Sequence, residues 1–302
     1  MTQLAPLPSG RPQRLAYFGT PEMAVPPLEA LVANGFEVVL VVTRGDKRRG
    51  RGGEPTPSPV KAAAVRLGLP VRHSVDDALL VGADLGVVVA FGQLIRPHVL
   101  ERLPMVNLHF SLLPRWRGPA PVERALLAGD TETGVCLMQL DVGLDTGPLL
   151  DVVEVPIGAD ETAAELRTSL VDAGARQLVR VLTEGLGIPR PQVGEPTYAA
   201  KLLAEEFAID WQRPADELHR LVRLGLAFAI FRGKRLKVLA AHPSDASVSP
   251  ATYAAPLTVG CGAGCLVLDR VQPEGKPAMD ATAWANGAHP RDGERFGEQA
   301  HV

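Results

Sequence analysis

Residues 85–110 read LGVVVAFGQLIRPHVLERLPMVNLHF. Two runs without a charged residue, LGVVVAF and MVNLHF, flank RPHVLERLP, a segment that suits a short helix opening at its proline. Unbroken apolar runs of this kind belong to strands covered on both faces, and a helical crossover between two of them makes the pair parallel. The alternation reaches back to residue 15. LAYF (15–18) and EVVLVV (37–42) read as strands, and PPLEALVANG (26–35) and SPVKAAAVRLG (58–68) as the helices between them. The N-terminal half is therefore expected to be an open, doubly wound, mostly parallel α/β sheet of Rossmann-like class. Ligands in such sheets sit beyond the carboxyl ends of the strands.

The chain has 302 residues, 46% of them hydrophobic, which is enough for two cores rather than one. A formal net charge of -3 excludes a wholesale polyanion binder and leaves room only for regional basic patches. The three cysteines, Cys136, Cys261 and Cys265, form no disulfide framework, so a reducing, cytoplasmic setting is expected. No apolar run is long enough to span a bilayer, and MTQLAPLPSGRPQR at the start reads as a disordered lead-in.

Within MVNLHF, Asn107 and His109 lie two apart, so in a strand they share one face while Leu108 and Phe110 take the other. Further on, TGVCLMQLDVGLDTGPLLDVVEVPI reads as two strands joined by a loop at residues 141–147. ETAAELRTSLVDAGARQLVRVLTEG reads as a long amphipathic helix ending at Gly185. Composition then shifts to Pro, Gly and polar residues. The expected division is a catalytic domain over 1–187, a linker over 188–207 and a small C-terminal β-barrel, OB-like, over 208–302 with one helix at about 214–223.

An Asn and a His on one strand face are equally consistent with satisfied core polar groups. Asp145, in the Gly-flanked VGLDTG, tips the reading toward chemistry: an amide can stabilise an oxyanion, and an imidazole paired with a carboxylate can manage an amine's proton. That set suits acyl transfer to an amine. Ser111 lacks a nucleophile elbow and Cys136 lies within an apolar strand, so neither is expected to attack. Cys261 and Cys265 form a single C-x3-C pair, better read as a reduced Gly-rich hairpin than as a metal site, and the remaining histidines show no ligand spacing. No metal is expected.

The segments FGTPEMAVPPLEAL, PSPVKAAA, VVVAFGQLI, NLHFSLLPRWRGPAPVERALLAGD, TGVCLMQLDVGLDTG, YAAKL, IDW and VQPEGKPAM occur in this order between about Tyr17 and Met279. Together they make the chain resemble the methionyl-tRNA formyltransferase family. The resemblance implies the formyltransferase fold, with 10-formyltetrahydrofolate as formyl donor and the amino group of methionine on initiator tRNA as acceptor. It also implies a monomeric enzyme of translation initiation. By resemblance, Asn107, His109 and Asp145 are the catalytic trio, and Ser111, Leu112, Leu113 and Pro114 line the folate site.

Two basic groups stand out. Arg44, Lys47, Arg48, Arg49 and Arg51 follow the second strand, on the edge where ligands dock. A charge run of this kind is ordinarily a solvated loop, but the resemblance assigns it to the tRNA acceptor end. Arg232, Lys234, Arg235 and Lys237 fit a charge-protected edge strand as well as an RNA contact, and the resemblance favours Lys234 and Arg235 as tRNA-binding. Arg115 and Arg117 either position RNA or close their turn. The chain departs from the family pattern in LVRLGLAFAIFRGKRLK, which lacks an Asn-Pro turn and an aromatic-Pro segment, and in a basic loop without its usual proline pair. The competing readings are a formyltransferase for a nucleotide sugar or purine precursor, a nucleotide-binding Rossmann protein and a non-catalytic RNA-binding module. FGTPEMA lacks G-x-G-x-x-G, which weakens the second, and the third leaves the Asn, His and Asp set unexplained.

Overall fold

The structure, a computed structural model, describes residues 3–48 and 54–297. The chain divides into two compact units. The first holds Met1–Val122, Glu132–Ile157 and Arg167–Ala200, and the second Glu123–Thr131, Gly158–Leu166 and Lys201–Val302.

In chain order the elements leading to the site are β1 (Arg14–Gly19), α1 (Val25–Ala33), β2 (Glu37–Val42), β3 (Lys47–Arg48), β4 (Pro55–Thr56), α2 (Pro59–Arg66) and β5 (Val71–Arg72). They continue as β6 (Leu85–Val89), α3 (Pro97–Leu100), β7 (Met105–His109), α4 (Pro121–Ala128), β8 (Glu132–Gln139), β9 (Leu149–Pro156) and α5 (Ala163–Glu184). The main sheet has the order β5-β2-β1-β6-β7-β8-β9. Its first five members pair in parallel, whereas β8 runs antiparallel to β7 and β9 antiparallel to β8. The strand order reverses between β1 and β6, the switch point at which open α/β sheets bind ligands.

Burial follows the apolar runs. Leu15, Ala16, Tyr17 and Phe18 of β1 are wholly buried, each large side chain contributing about 1.5–3 kcal/mol of transfer free energy. The Tyr17 hydroxyl donates to the Ala24 carbonyl at 2.6 Å, so the one polar atom in that run is satisfied, and burial holds its phenol well above the usual tyrosine range. Helix α2 opens on Ser58, whose hydroxyl accepts from the Lys61 N–H at 3.0 Å, with Pro59 as the first helical residue. The N-terminal lead-in is more ordered than its composition suggests. Leu4 packs on the core, and the Ala5 N–H donates to the Leu100 carbonyl at 2.8 Å.

The second unit contains α6 (Ala215–Val222), β10 (Phe228–Phe231), β11 (Lys234–Ser244), β12 (Tyr253–Ala254), β13 (Thr258–Gly260), β14 (Cys265–Pro273), β15 (Met279–Asp280) and α7 (Ala281–Ala288). The strands form an antiparallel sheet of order β10-β11-β14-β13-β12, with β15 added to β14. Its core includes Phe231, which meets Trp284 at 5.3 Å and Phe296 at 5.0 Å between ring centroids. The shortened segment after α6 is a tight turn closed by the Gly225 N–H on the Val222 carbonyl at 2.8 Å, leading directly into β10. Cys261 and Cys265 are free and buried on the hairpin of β13 and β14. Burial pushes the Cys261 thiol up to about 11.

Candidate active site

Strand β7 carries the first two candidates. Asn107 stands opposite Val88 of β6 and Met138 of β8, and His109 opposite Cys136. Facing residues share a sheet face, so the polar pair sits over an apolar bed of Cys136, Met138 and Leu113. Burial drives the Cys136 thiol up to about 11, which disqualifies it as a nucleophile near neutral pH. On the opposite face, α5 approaches closely at Gly174, where an added Cβ would lie 3.2 Å from Val135 and 3.6 Å from Leu108 and Phe110. The period of two predicted from MVNLHF is thus realised, with the helix on the apolar side.

Asn107 is 8% exposed and His109 5%. Among the described residues, the Asn107 side-chain amide has no hydrogen-bond partner. None of its polar atoms is both fully buried and unpaired, so at the strand's carboxyl end the amide is within reach of water or a ligand. His109 is oriented instead. Its Nε2 lies 2.9 Å from the Trp116 carbonyl, an acceptor, so Nε2 carries the proton of that bond. Its Nδ1 lies 3.6 Å from the Asp145 Oδ2.

Asp145 is set by its backbone. Its φ is +52°, a left-handed conformation that Asp tolerates better than most residues. The carboxylate Oδ2 accepts the Gly118 N–H at 2.8 Å. The loop carrying it is closed by Asp141, whose carboxylate accepts from the Gly143 N–H at 3.0 Å and the Thr146 hydroxyl at 2.7 Å. Gly147 ends the loop where the chain passes against β8, and a Cβ there would sit 1.8 Å from the Gln139 carbonyl oxygen. Trp116, at φ +64°, is the second left-handed residue of the site. Its N–H donates to the Thr197 hydroxyl at 2.9 Å, and its carbonyl meets His109.

The SLLPRWRG turn is largely committed to its own closure. The Ser111 hydroxyl donates to the Arg115 carbonyl at 2.6 Å and is buried. Leu113 lies in the apolar bed, while Leu112 and Pro114 are half-buried. Arg117 donates from Nε and Nη2 to the Gln192 Oε1 at 3.1 and 2.6 Å, and Arg115 lies over the Trp116 ring at 4.5 Å. Arg117 therefore ties the turn to residues 190–199.

Composition gave no signal for residues 190–199, the start of the expected linker. They run along the site as a strap. Arg190 exchanges both backbone bonds with Leu149, and Arg117 does the same with Thr197 and Ala199. The side chains of Gln192 and Thr197 reach the two loops.

A cavity of about 520 Å³ opens at the switch point, lined by Thr20 and Pro21 after β1, Arg44 and Lys47 after β2, and residues 90–93 after β6. Arg44, Lys47 and Arg48 are exposed, whereas Arg49 and Arg51 lie outside the described residues. Part of the expected loop is a ribbon in which Lys47 pairs with Thr56 and Arg48 with Pro55, and Asp46 binds Lys61 at 2.8 Å. In the second unit, Lys234 and Arg235 begin β11 on its exposed end and line a cavity of about 570 Å³. The Arg235 guanidinium lies 3.6 Å over the Phe228 ring. Among the described residues no cluster of three or more His, Cys, Asp or Glu is arranged to hold a metal, and no helix is long and apolar enough to cross a membrane.

Residues 13–182 match the formyl transferase family, and residues 201–289 match formyl transferase, C-terminal domain. The chain is 43% identical over 303 residues to methionyl-tRNA formyltransferase of Roseobacter denitrificans, covering 94% of this chain and 98% of that one. It is 41% identical over 319 residues to methionyl-tRNA formyltransferase of Heliobacterium modesticaldum, covering 94% and 100%. Among solved structures it is similar in fold to the N-formyltransferase from Helicobacter canadensis in complex with folinic acid and dTDP-3-aminofucose. There the TM-score is 0.66 at 18% identity, with 86% of this chain and 98% of that one covered. The chain belongs to the methionyl-tRNA formyltransferase family.

Proposed function

We propose that this enzyme transfers a formyl group from 10-formyltetrahydrofolate to the amino group of methionine on initiator tRNA, by direct attack of the amine. The observation that carries the reading is the uncommitted Asn107 amide beside an oriented His109–Asp145 pair, at the carboxyl end of a buried strand. The donor set has polar groups for proton and oxyanion management and an apolar bed, and it asks for no nucleophile from the protein.

The folate supplies the formyl carbon as an activated N-formyl group. Leu112, Leu113 and Pro114 form the apolar wall against which it is held, and Ser111 fixes the turn that carries them through its bond to Arg115. Asn107 offers its side-chain N–H to the oxygen that gains charge as the amine adds. An oxyanion donor of this kind lowers the barrier by roughly 3 kcal/mol. Because the Trp116 carbonyl holds the proton on Nε2, Nδ1 of His109 is the nitrogen free to take the amine's proton as the new C–N bond forms. It returns that proton to the folate nitrogen as that nitrogen's bond to the formyl carbon breaks, releasing tetrahydrofolate. The Asp145 carboxylate beside it balances the imidazolium that forms.

Initiator methionyl-tRNA is the partner. Arg44 and Lys47 at the switch-point cavity, with Arg48, Arg49 and Arg51 of the same segment, suit the phosphates of its acceptor end, and Lys234 and Arg235 suit phosphates further along the RNA. Free, buried cysteines accord with work in the cytoplasm, as a monomer in translation initiation. The test offers 10-formyltetrahydrofolate with methionine-charged initiator tRNA, and in parallel an amino-sugar nucleotide and a purine precursor amine. Formyl-methionyl-tRNA is the expected product. Formylation of either small amine without the tRNA would overturn the reading.

A further inference from the structure

Gln192 makes four hydrogen bonds, all of them to the two loops of the site. Its Nε2 donates to the Asp145 carbonyl at 2.8 Å and to the Gly147 carbonyl at 2.8 Å. Its Oε1 accepts from Arg117 Nε at 3.1 Å and Nη2 at 2.6 Å. Both amide hydrogens face carbonyls and the amide oxygen faces a guanidinium. Rotating the amide would oppose oxygen to oxygen and N–H to N–H, so its orientation is unique.

Asp145 needs such support. Its φ of +52° is sparsely populated for a non-glycine residue and persists only where the surroundings over-determine it. The Gly118 N–H holds the carboxylate, and Gln192 holds the carbonyl of the same residue. Arg117 is the residue before Gly118, so the guanidinium that fixes Gln192 and the N–H that fixes the carboxylate come from adjacent positions of one turn. Turn, loop and strap form a closed ring of bonds with Asp145 on its rim.

We propose that Gln192 is a positioning residue for the reaction. It sets the Asp145 carboxylate against His109 Nδ1 without touching the reacting atoms. The inference rests on the reading of Asp145 given above. A misplacement of about 1 Å at a catalytic group can lower turnover about a hundredfold.

Gln192→Glu separates this role from mere stabilisation, because it keeps acceptor oxygens for Arg117 and loses both donated bonds. Formyl transfer to charged initiator tRNA is measured for the wild type, Gln192→Glu, Asp145→Asn and the double variant, with melting temperatures as a check on folding. The expected result is a fall in kcat of about tenfold to a hundredfold for Gln192→Glu. KM for tRNA and folate should stay within about twofold, and the double variant should be no slower than Asp145→Asn, since the two act through one group. If Gln192→Glu fails to fold, Gln192→Ala, which leaves the carbonyls open to water at a half-buried position, takes its place with the same expectations. Unchanged kcat with only a lower melting temperature would overturn the inference, as would a double variant showing the product of the two separate losses. Near-wild-type turnover in Asp145→Asn alone would overturn the underlying reading of the site, and this inference with it.

Discussion

Two polar loops of the first unit are built in opposite ways. In residues 141–147, Asp141 accepts two bonds, Asp145 is held at both its carboxylate and its carbonyl, and Gly147 leaves no room for a side chain. In the basic segment after β2, Lys47 and Arg48 stand exposed on a two-residue ribbon, and among the described residues Asp46 ties the segment to Lys61 of α2 by an ion pair. The difference matches what the proposed role of each would require. Proton management and oxyanion stabilisation lose their value within about an ångström of misplacement. Attraction to a phosphate acts over the Debye length, about 8–10 Å, and needs charge within reach more than a fixed pose.

Breaking the rigid loop should therefore have the larger effects. Asp145→Ala removes the carboxylate that faces His109 Nδ1, and under the proposed mechanism turnover should fall by about 10²–10⁴ with folate and tRNA binding largely kept, as steady-state kinetics would show. Gly147→Ala forces a Cβ into the Gln139 carbonyl. It should destabilise the fold by about 1–3 kcal/mol in denaturant titration and lower turnover as the loop shifts. Exchanging Lys47 and Arg48 for Ala should act on the other side of the comparison. KM for tRNA should rise, kcat should hold, and the slope of log affinity against log salt should drop by about one for each phosphate no longer neutralised. A fall in kcat with an unchanged salt slope would mean that the ribbon serves the chemistry rather than the RNA.

The parallel core was legible because burial on both faces leaves a plain mark. LAYF and LGVVVAF hold no charged residue, and EVVLVV holds one only at its first position, Glu37. The shared face of Asn107 and His109 was legible for a similar reason, since a period of two is a local property of extended chain. What stayed hidden depends on distant partners. That β8 and β9 run antiparallel at one edge of the sheet is decided by how the chain returns, and their composition does not record it. Gln192 and Thr197 sit in a stretch rich in Pro and Gly that reads as a connector, and only the folded chain shows them bonded to Asp145, Arg117 and Trp116. Ser111 belongs between these cases. The resemblance assigned it to the folate site, and the structure shows its hydroxyl bonded to the Arg115 carbonyl within the turn that carries Leu112, Leu113 and Pro114.

The central claim is that an unspent amide on β7 stabilises charge as the methionyl amine attacks. Single-turnover formylation by Asn107→Ala, with both substrates saturating, tests it most directly. The account predicts a rate lower by about 10²–10³, with folate and tRNA affinities within a few-fold of the wild type. A single-turnover rate within a few-fold of the wild type would contradict it.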